Sequence, residues 1–97
     1  MQLILSNHNY DLILPNLAVG TEFDNIEIPL LHNEGFTDIF DLRLERTDDT
    51  SQLAEYNLDY FRIPVPDCCG FSVEQFKEGT KWIRDRLKVG RKIYVHG

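Results

Sequence analysis

Apolar and polar positions change period several times along the chain, and each change marks an element. In Asp11–Gly20, DLILPNLAVG, two short apolar runs are separated by Pro15-Asn16, which predicts two brief strands joined by a turn. Residues 23–34 place Ile26, Leu30 and Leu31 at helical spacing. Pro29 restricts where that helix begins, and Gly35 suits the C′ position beyond it. Thr37–Leu42, TDIFDL, reads as a strand leading into Arg43. Asp48–Tyr56 reads as a short helix with Leu53 and Tyr56 facing inward. Asp59–Val65, DYFRIPV, reads as a strand stopped by Pro64 and Pro66.

The clearest element is a helix from Val73 to Val89. Ser72 and Gln75 have the capping-box spacing, and Val73, Phe76, Thr80, Ile83 and Leu87 recur as one stripe expected to face a core. Gly79 lowers helix propensity by up to ~1 kcal/mol, so close packing is expected there. Gly90 ends the helix, and Lys92–His96, KIYVH, is a short apolar strand. Strands alternating with helices argue for an α/β sandwich with a largely parallel sheet. A length of 97 residues allows one domain at most. Ligands of open α/β sheets bind beyond the carboxyl ends of the strands, and His96-Gly97 stands at such an end.

Charge narrows the function classes. The chain carries 10 basic and 16 acidic residues, a net −6, which disfavours nucleic acid as a partner. The basic excess sits late, in Lys81, Arg84, Arg86, Lys88, Arg91 and Lys92, and reads as a solvated helix face with cations at a helix C-terminus. No stretch approaches the ~18 apolar residues of a membrane span, so no membrane partner is expected. Leu3-Ile4-Leu5 is too short for a secretory signal and lacks a basic flank, which leaves a cytoplasmic location as the expectation.

Candidate chemistry is sparse when each residue is taken alone. The neighbours Cys68 and Cys69 cannot build a disulfide framework. They read as one packed and one exposed thiol, with a redox partnership to a catalytic thiol as the sharper alternative. His8 and His32 lie in unrelated segments, and no spacing of His, Cys, Asp and Glu suggests ligation, so neither metal nor cofactor is expected. Trp82, Phe76 and Phe71 read as core and loop packing rather than a substrate platform. Arg43 either lines a phosphate-binding mouth or, as the stronger reading, pairs with Asp41, Glu45 or another nearby acid. Asp67 alone is a turn aspartate, and His96 alone is a structural histidine.

Three segments change that picture together: Leu12–Gly20 (LILPNLAVG), GFTDIFDLR over 35–43, and YFRIPVPD from Tyr60 followed by the capped helix and KIYVHG. In order and spacing they resemble the dual-specificity branch of the cysteine-dependent protein tyrosine phosphatases. The resemblance implies a three-layer sandwich whose central, mostly parallel sheet has about five strands flanked by helices. It implies that residues 1–97 are the N-terminal two-thirds of one such domain, without the C-terminal helices. In that family the Val-His strand end leads into the phosphate loop H-C-x5-R-[ST]. Val95 and His96 match, Gly97 occupies the position of the nucleophilic cysteine, and the loop arginine is not in this chain.

The resemblance also implies roles. Asp67, after IPVP, matches the general acid that protonates the leaving oxygen, a step typically worth 10²–10⁴-fold. His96 orients the loop that binds phosphate. The implied activity is hydrolysis of phosphotyrosine, phosphoserine or phosphothreonine in phosphoproteins through a cysteinyl-phosphate. Lacking the thiol, this chain itself is expected to be inactive. The alternatives are a pseudophosphatase that binds phosphorylated partners, Gly97 being a true replacement, and a structural α/β domain. Strands left without their covering helices predict self-association of the truncated chain.

Overall fold

The computed structural model describes residues 10–44, 47–66 and 70–97. Asp67, Cys68, Cys69, His8, Glu45 and the Leu3–Leu5 run lie outside the described residues, so the readings made for them stand as expectations.

Five strands form one sheet: β1 (Tyr10–Leu14), β2 (Leu17–Gly20), β3 (Asp38–Asp41), β4 (Asp59–Arg62) and β5 (Ile93–His96). The spatial order is β1-β2-β5-β3-β4. Pro15-Asn16 turns β1 back on β2 as an antiparallel hairpin, and all the other pairings are parallel. Helix α1 (Ile28–Asn33) links β2 to β3, α2 (Thr50–Glu55) links β3 to β4, and α3 (Val73–Lys88) returns the chain from β4 to β5. The first two crossovers step one way along the sheet and the third steps back. Right-handed connections therefore place α1 and α2 on one face and α3 on the other, which makes three layers.

The period of two sorts the strand residues between the layers. Ala18, Tyr94 and Ile39 join Ile28, Leu31 and Leu53 under α1 and α2. Phe40, Ile93 and Phe61 face α3, where Trp82 stacks on Phe61 with ring centroids 4.8 Å apart and planes 11° apart. This bears out the packing role read for Trp82. Gly79 is the buried residue of α3, set against Phe40. Gly35 and Gly90 take φ of +93° and +83° just past α1 and α3, a backbone that their missing Cβ permits. Both reciprocal bonds of the Ser72–Gln75 capping box are formed. Among the described residues, no helix is long and apolar enough to cross a membrane.

Two readings of the pattern need correction. Ile26 does not face inward: it is 82% exposed on a 3-10 turn, Asn25–Glu27. The α-helix starts at Ile28, because Pro29 suits the first helical turn and no later position, and Ile28 takes the buried place. The stripe of α3 is also not buried along its length. Val73 and Phe76 are 68% and 58% exposed, and only its lower part, Ile83 and Leu87, packs on the sheet. Phe76 instead lines an open apolar groove of about 270 Å³ with Phe71, Ile13, Val19 and Val95. Phe71 and Phe76 meet edge to face at 6.3 Å.

The late basic run is only partly a solvated face. Asp38 is wholly buried at the start of β3 and is held by Arg86 at 2.9 Å and Arg91 at 2.7 Å, which both also reach Asp59. Lys92 donates to the Glu34 carbonyl. Lys81, Arg84 and Lys88 remain exposed.

Candidate functional site

Four parallel neighbours end in one row, Gly20, His96, Asp41 and Arg62. Ligands of open α/β sheets bind beyond such a row of carboxyl ends. His96 and Asp41 stand in this row on the α1–α2 face, and both are buried. The loop from β3 to α2 adds Arg43 and Asp48. Arg62 anchors this loop by donating to the carbonyls of Arg43 at 3.2 Å and Leu44 at 2.5 Å.

These side chains form one connected network. Arg43 donates to Asp41 Oδ1 from its backbone N–H at 2.9 Å and from Nε at 3.0 Å. Its Nη2 bridges Asp41 Oδ2 at 3.0 Å and Asp48 Oδ1 at 2.6 Å, and its Nη1 reaches Glu22 at 3.3 Å. The Tyr60 hydroxyl donates to Asp41 Oδ2 at 2.5 Å and accepts the Asp48 backbone N–H at 3.2 Å. Asp48 Oδ2 lies 2.8 Å from His96 Nε2. The ring of Phe23 meets the His96 imidazole edge-on at 5.1 Å.

The electrostatics follow from these bonds. Burial raises the Asp41 pKa, but hydrogen bonds from Arg43 and Tyr60 outweigh it and hold the carboxyl below its usual value. The Asp41 hydrogen bond strengthens the hold of Arg43 on its proton, against burial. Burial, with the Asp41 bond, pushes the Tyr60 phenol up and keeps it protonated.

Sequence reasoning paired Arg43 with Asp41, Glu45 or another nearby acid, and the structure pairs it with Asp41, Asp48 and Glu22. It missed Asp48, which lies between Arg43 and His96. The ligand-type atoms of Asp41, Asp48 and His96 lie within 4.8 Å of one another, a juxtaposition that no sequence spacing announces. The guanidinium of Arg43 bonds both carboxylates, so a cation already sits between them. His32 is elsewhere, on α1 beside Tyr56.

A polar cleft of about 440 Å³ opens over this network, lined by Phe23, Asp24, Asn25, Arg43, Thr47, Asp48 and Asp49. Gly97 follows His96 at the same edge. A Cβ built on it would have Leu42 Cβ as its nearest neighbour, at 3.8 Å, so position 97 has room for a side chain. Pro66 and Gly70 bracket the segment of the candidate acid Asp67, and Gly70 takes φ +67°.

No family model matches the sequence, and no curated protein matches it. Solved structures do. The fold is that of the protein tyrosine phosphatase-like phosphatases, the dual-specificity enzymes among them. The active form of Tk-PTP superposes with a TM-score of 0.81 at 22% identity, over 91% of this chain and 60% of that one. The human tyrosine phosphatase-like serine/threonine/tyrosine-interacting protein gives 0.75 at 23% identity, over 94% and 63%. TpbA of P. aeruginosa, solved in complex with pTyr, gives 0.73 at 11% identity, over 99% and 57%. The chain thus spans about three fifths of the length of the structures it matches.

Proposed function

We propose that residues 1–97 are the N-terminal two-thirds of a dual-specificity-type phosphatase domain, acting on phosphorylated tyrosine, serine or threonine side chains of proteins. One observation carries this reading. The buried His96 ends β5 between β2 and β3 and delivers position 97 to the carboxyl edge of the parallel strands, where the resembled family begins its phosphate loop. In the reaction of such a domain a cysteine thiolate, which position 97 of this chain does not supply, attacks phosphorus in line with the ester oxygen, the P–O bond breaks, and Asp67 gives its proton to the departing oxygen. Water then displaces the thiolate. His96 orients the loop that holds the phosphoryl oxygens.

Gly97 favours a second reading, a domain that keeps phosphate recognition and has lost turnover. A glycine has no thiol from which a phosphoenzyme could form. The fold likeness to a human tyrosine phosphatase-like interacting protein is in keeping with this reading.

Assays of the complete gene product on an aryl phosphate and a phosphopeptide decide between the two. Vanadate-sensitive turnover by the protein as encoded supports the enzyme. Phosphopeptide binding without turnover, with turnover appearing in Gly97→Cys, supports the binding module. Neither binding nor turnover sinks both readings. The 97-residue chain alone is expected to show no turnover.

A further inference from the structure

The imidazole of His96 is bonded on one side only. Its side chain is sealed from solvent, Nε2 meets Asp48 Oδ2 at 2.8 Å, and Nδ1 is buried with no hydrogen-bond partner among the described residues. The other oxygen of Asp48 is ion-paired to Arg43 at 2.6 Å. A carboxylate held in this way accepts and does not donate, so Nε2 carries a ring proton, and in the neutral form of the imidazole Nδ1 is then a bare acceptor. Phe23 at 5.1 Å and Tyr94 at 6.1 Å hold the ring plane. Nδ1 is bonded to Cγ, on the side of the residue's own backbone, so its reach is the main chain around position 97.

We infer that Asp48 is a positioning residue: backed by Arg43, it fixes the tautomer and plane of His96 so that Nδ1 accepts a backbone N–H at the start of the phosphate loop. The use of that acceptor rests on the phosphatase-type reading above; the tautomer does not. Asp48 acts through His96 and touches no substrate. Its place in the network explains why an acid on the β3–α2 loop is buried beside a strand end 48 positions later.

The substitution Asp48→Asn tests this with little change of shape. Its amide oxygen stays on the Arg43 guanidinium, so its NH2 turns toward Nε2. The ring must then accept at Nε2 and carry its proton on Nδ1, the wrong-tautomer outcome seen when an orienting carboxylate becomes an amide. The complete gene product is examined by nitrogen–proton correlation of the His96 ring, at a pH where the ring is neutral, and by titration with inorganic phosphate. The wild type is expected to show the Nε2–H tautomer and Asp48→Asn the Nδ1–H tautomer, with phosphate binding weakened roughly tenfold, the scale of one lost hydrogen bond. Gly79→Val, destabilised at a distant site, is expected to keep both the wild-type tautomer and the wild-type affinity.

A wild type with its proton on Nδ1 overturns the inference without any variant, so the test survives an Asp48→Asn protein that fails to fold. Equal weakening in Gly79→Val also overturns it, because loss of stability would then account for the effect. If the tautomer switches but the wild type binds no phosphate, the phosphatase-type reading falls and the hold of Asp48 on His96 is supported.

Discussion

Gly79 of α3 rests against the edge of the Phe40 ring: a Cβ at that position would stand 3.1 Å from Phe40 Cζ and 3.4 Å from Cε2. Two effects oppose each other there. Alanine gains up to ~1 kcal/mol of helix propensity, while the contact pushes Phe40 against Phe61 and Trp82, its edge-to-face partners at 5.3 and 5.6 Å. Phe40 is buried but borders the apolar groove, into which its ring can shift slightly. Gly79→Ala is therefore expected to stay within about 1 kcal/mol of wild type, and Gly79→Val to lose about 1–3 kcal/mol by overpacking. Urea denaturation of the two variants checks this. A fully tolerated valine would mean that α3 sits farther from the sheet.

Removing Arg43 leaves two buried carboxylates, Asp41 and Asp48, without their common cation. Breaking a buried pair in this way typically costs about 3–5 kcal/mol. Arg43→Ala is expected to fall in that range. Arg43→Lys should recover only part of the loss, since a single ammonium cannot reproduce the fork across both acids. Equal stability of Arg43→Lys and wild type in denaturant titration would contradict the bridging role.

Tyr60 gives the fold a pH signature. Asp41 titrates below its usual value when folded, so its contribution is present above about pH 4 and is lost as pH falls through the depressed value. Tyr60→Phe removes one of the bonds that lower it and is expected to cost about 1.5–3 kcal/mol at neutral pH. The gap between the two proteins should narrow as pH falls from about 5 toward 2. Denaturation series across that range supply the measurement, and a constant gap would show that the Asp41 bond is not its source.

Much of this architecture is written locally. The Pro15-Asn16 turn, the Ser72–Gln75 box, and Gly35 and Gly90 at positive φ each depend on neighbours in sequence, and each was legible there. One error was local, and the others arose where distant segments decide. Ile26 fitted the helical period, but Pro29 set the helix start at Ile28. Along α3, periodicity shows which residues share a face and does not show whether anything covers it. Arg86 and Arg91 looked like surface cations because their partner Asp38 lies 48 and 53 positions away. Asp48 was missed for the same reason. Only the parallel return of β5 beside β3 brings His96 to it.

The uncovered groove predicts the behaviour of the 97-residue chain in isolation. Ile13 is 59% and Phe76 58% exposed on the walls of one apolar surface. Contiguous apolar patches of this kind drive dye binding and association. The chain is expected to bind hydrophobic dyes and to self-associate in sedimentation, and Ile13→Lys with Phe76→Lys should reduce both. A dye-silent monomer would show that the groove closes in solution.

Phosphate handling at the carboxyl edge of β5 is the central claim. The most direct measurement is a residue-resolved NMR titration of the complete gene product with a phosphotyrosine peptide. Shifts centred on His96 and Gly97 and on the segment between Pro66 and Gly70 are predicted. Shifts confined to the exposed basic residues Lys81, Arg84 and Lys88, or no shifts at all, would contradict it.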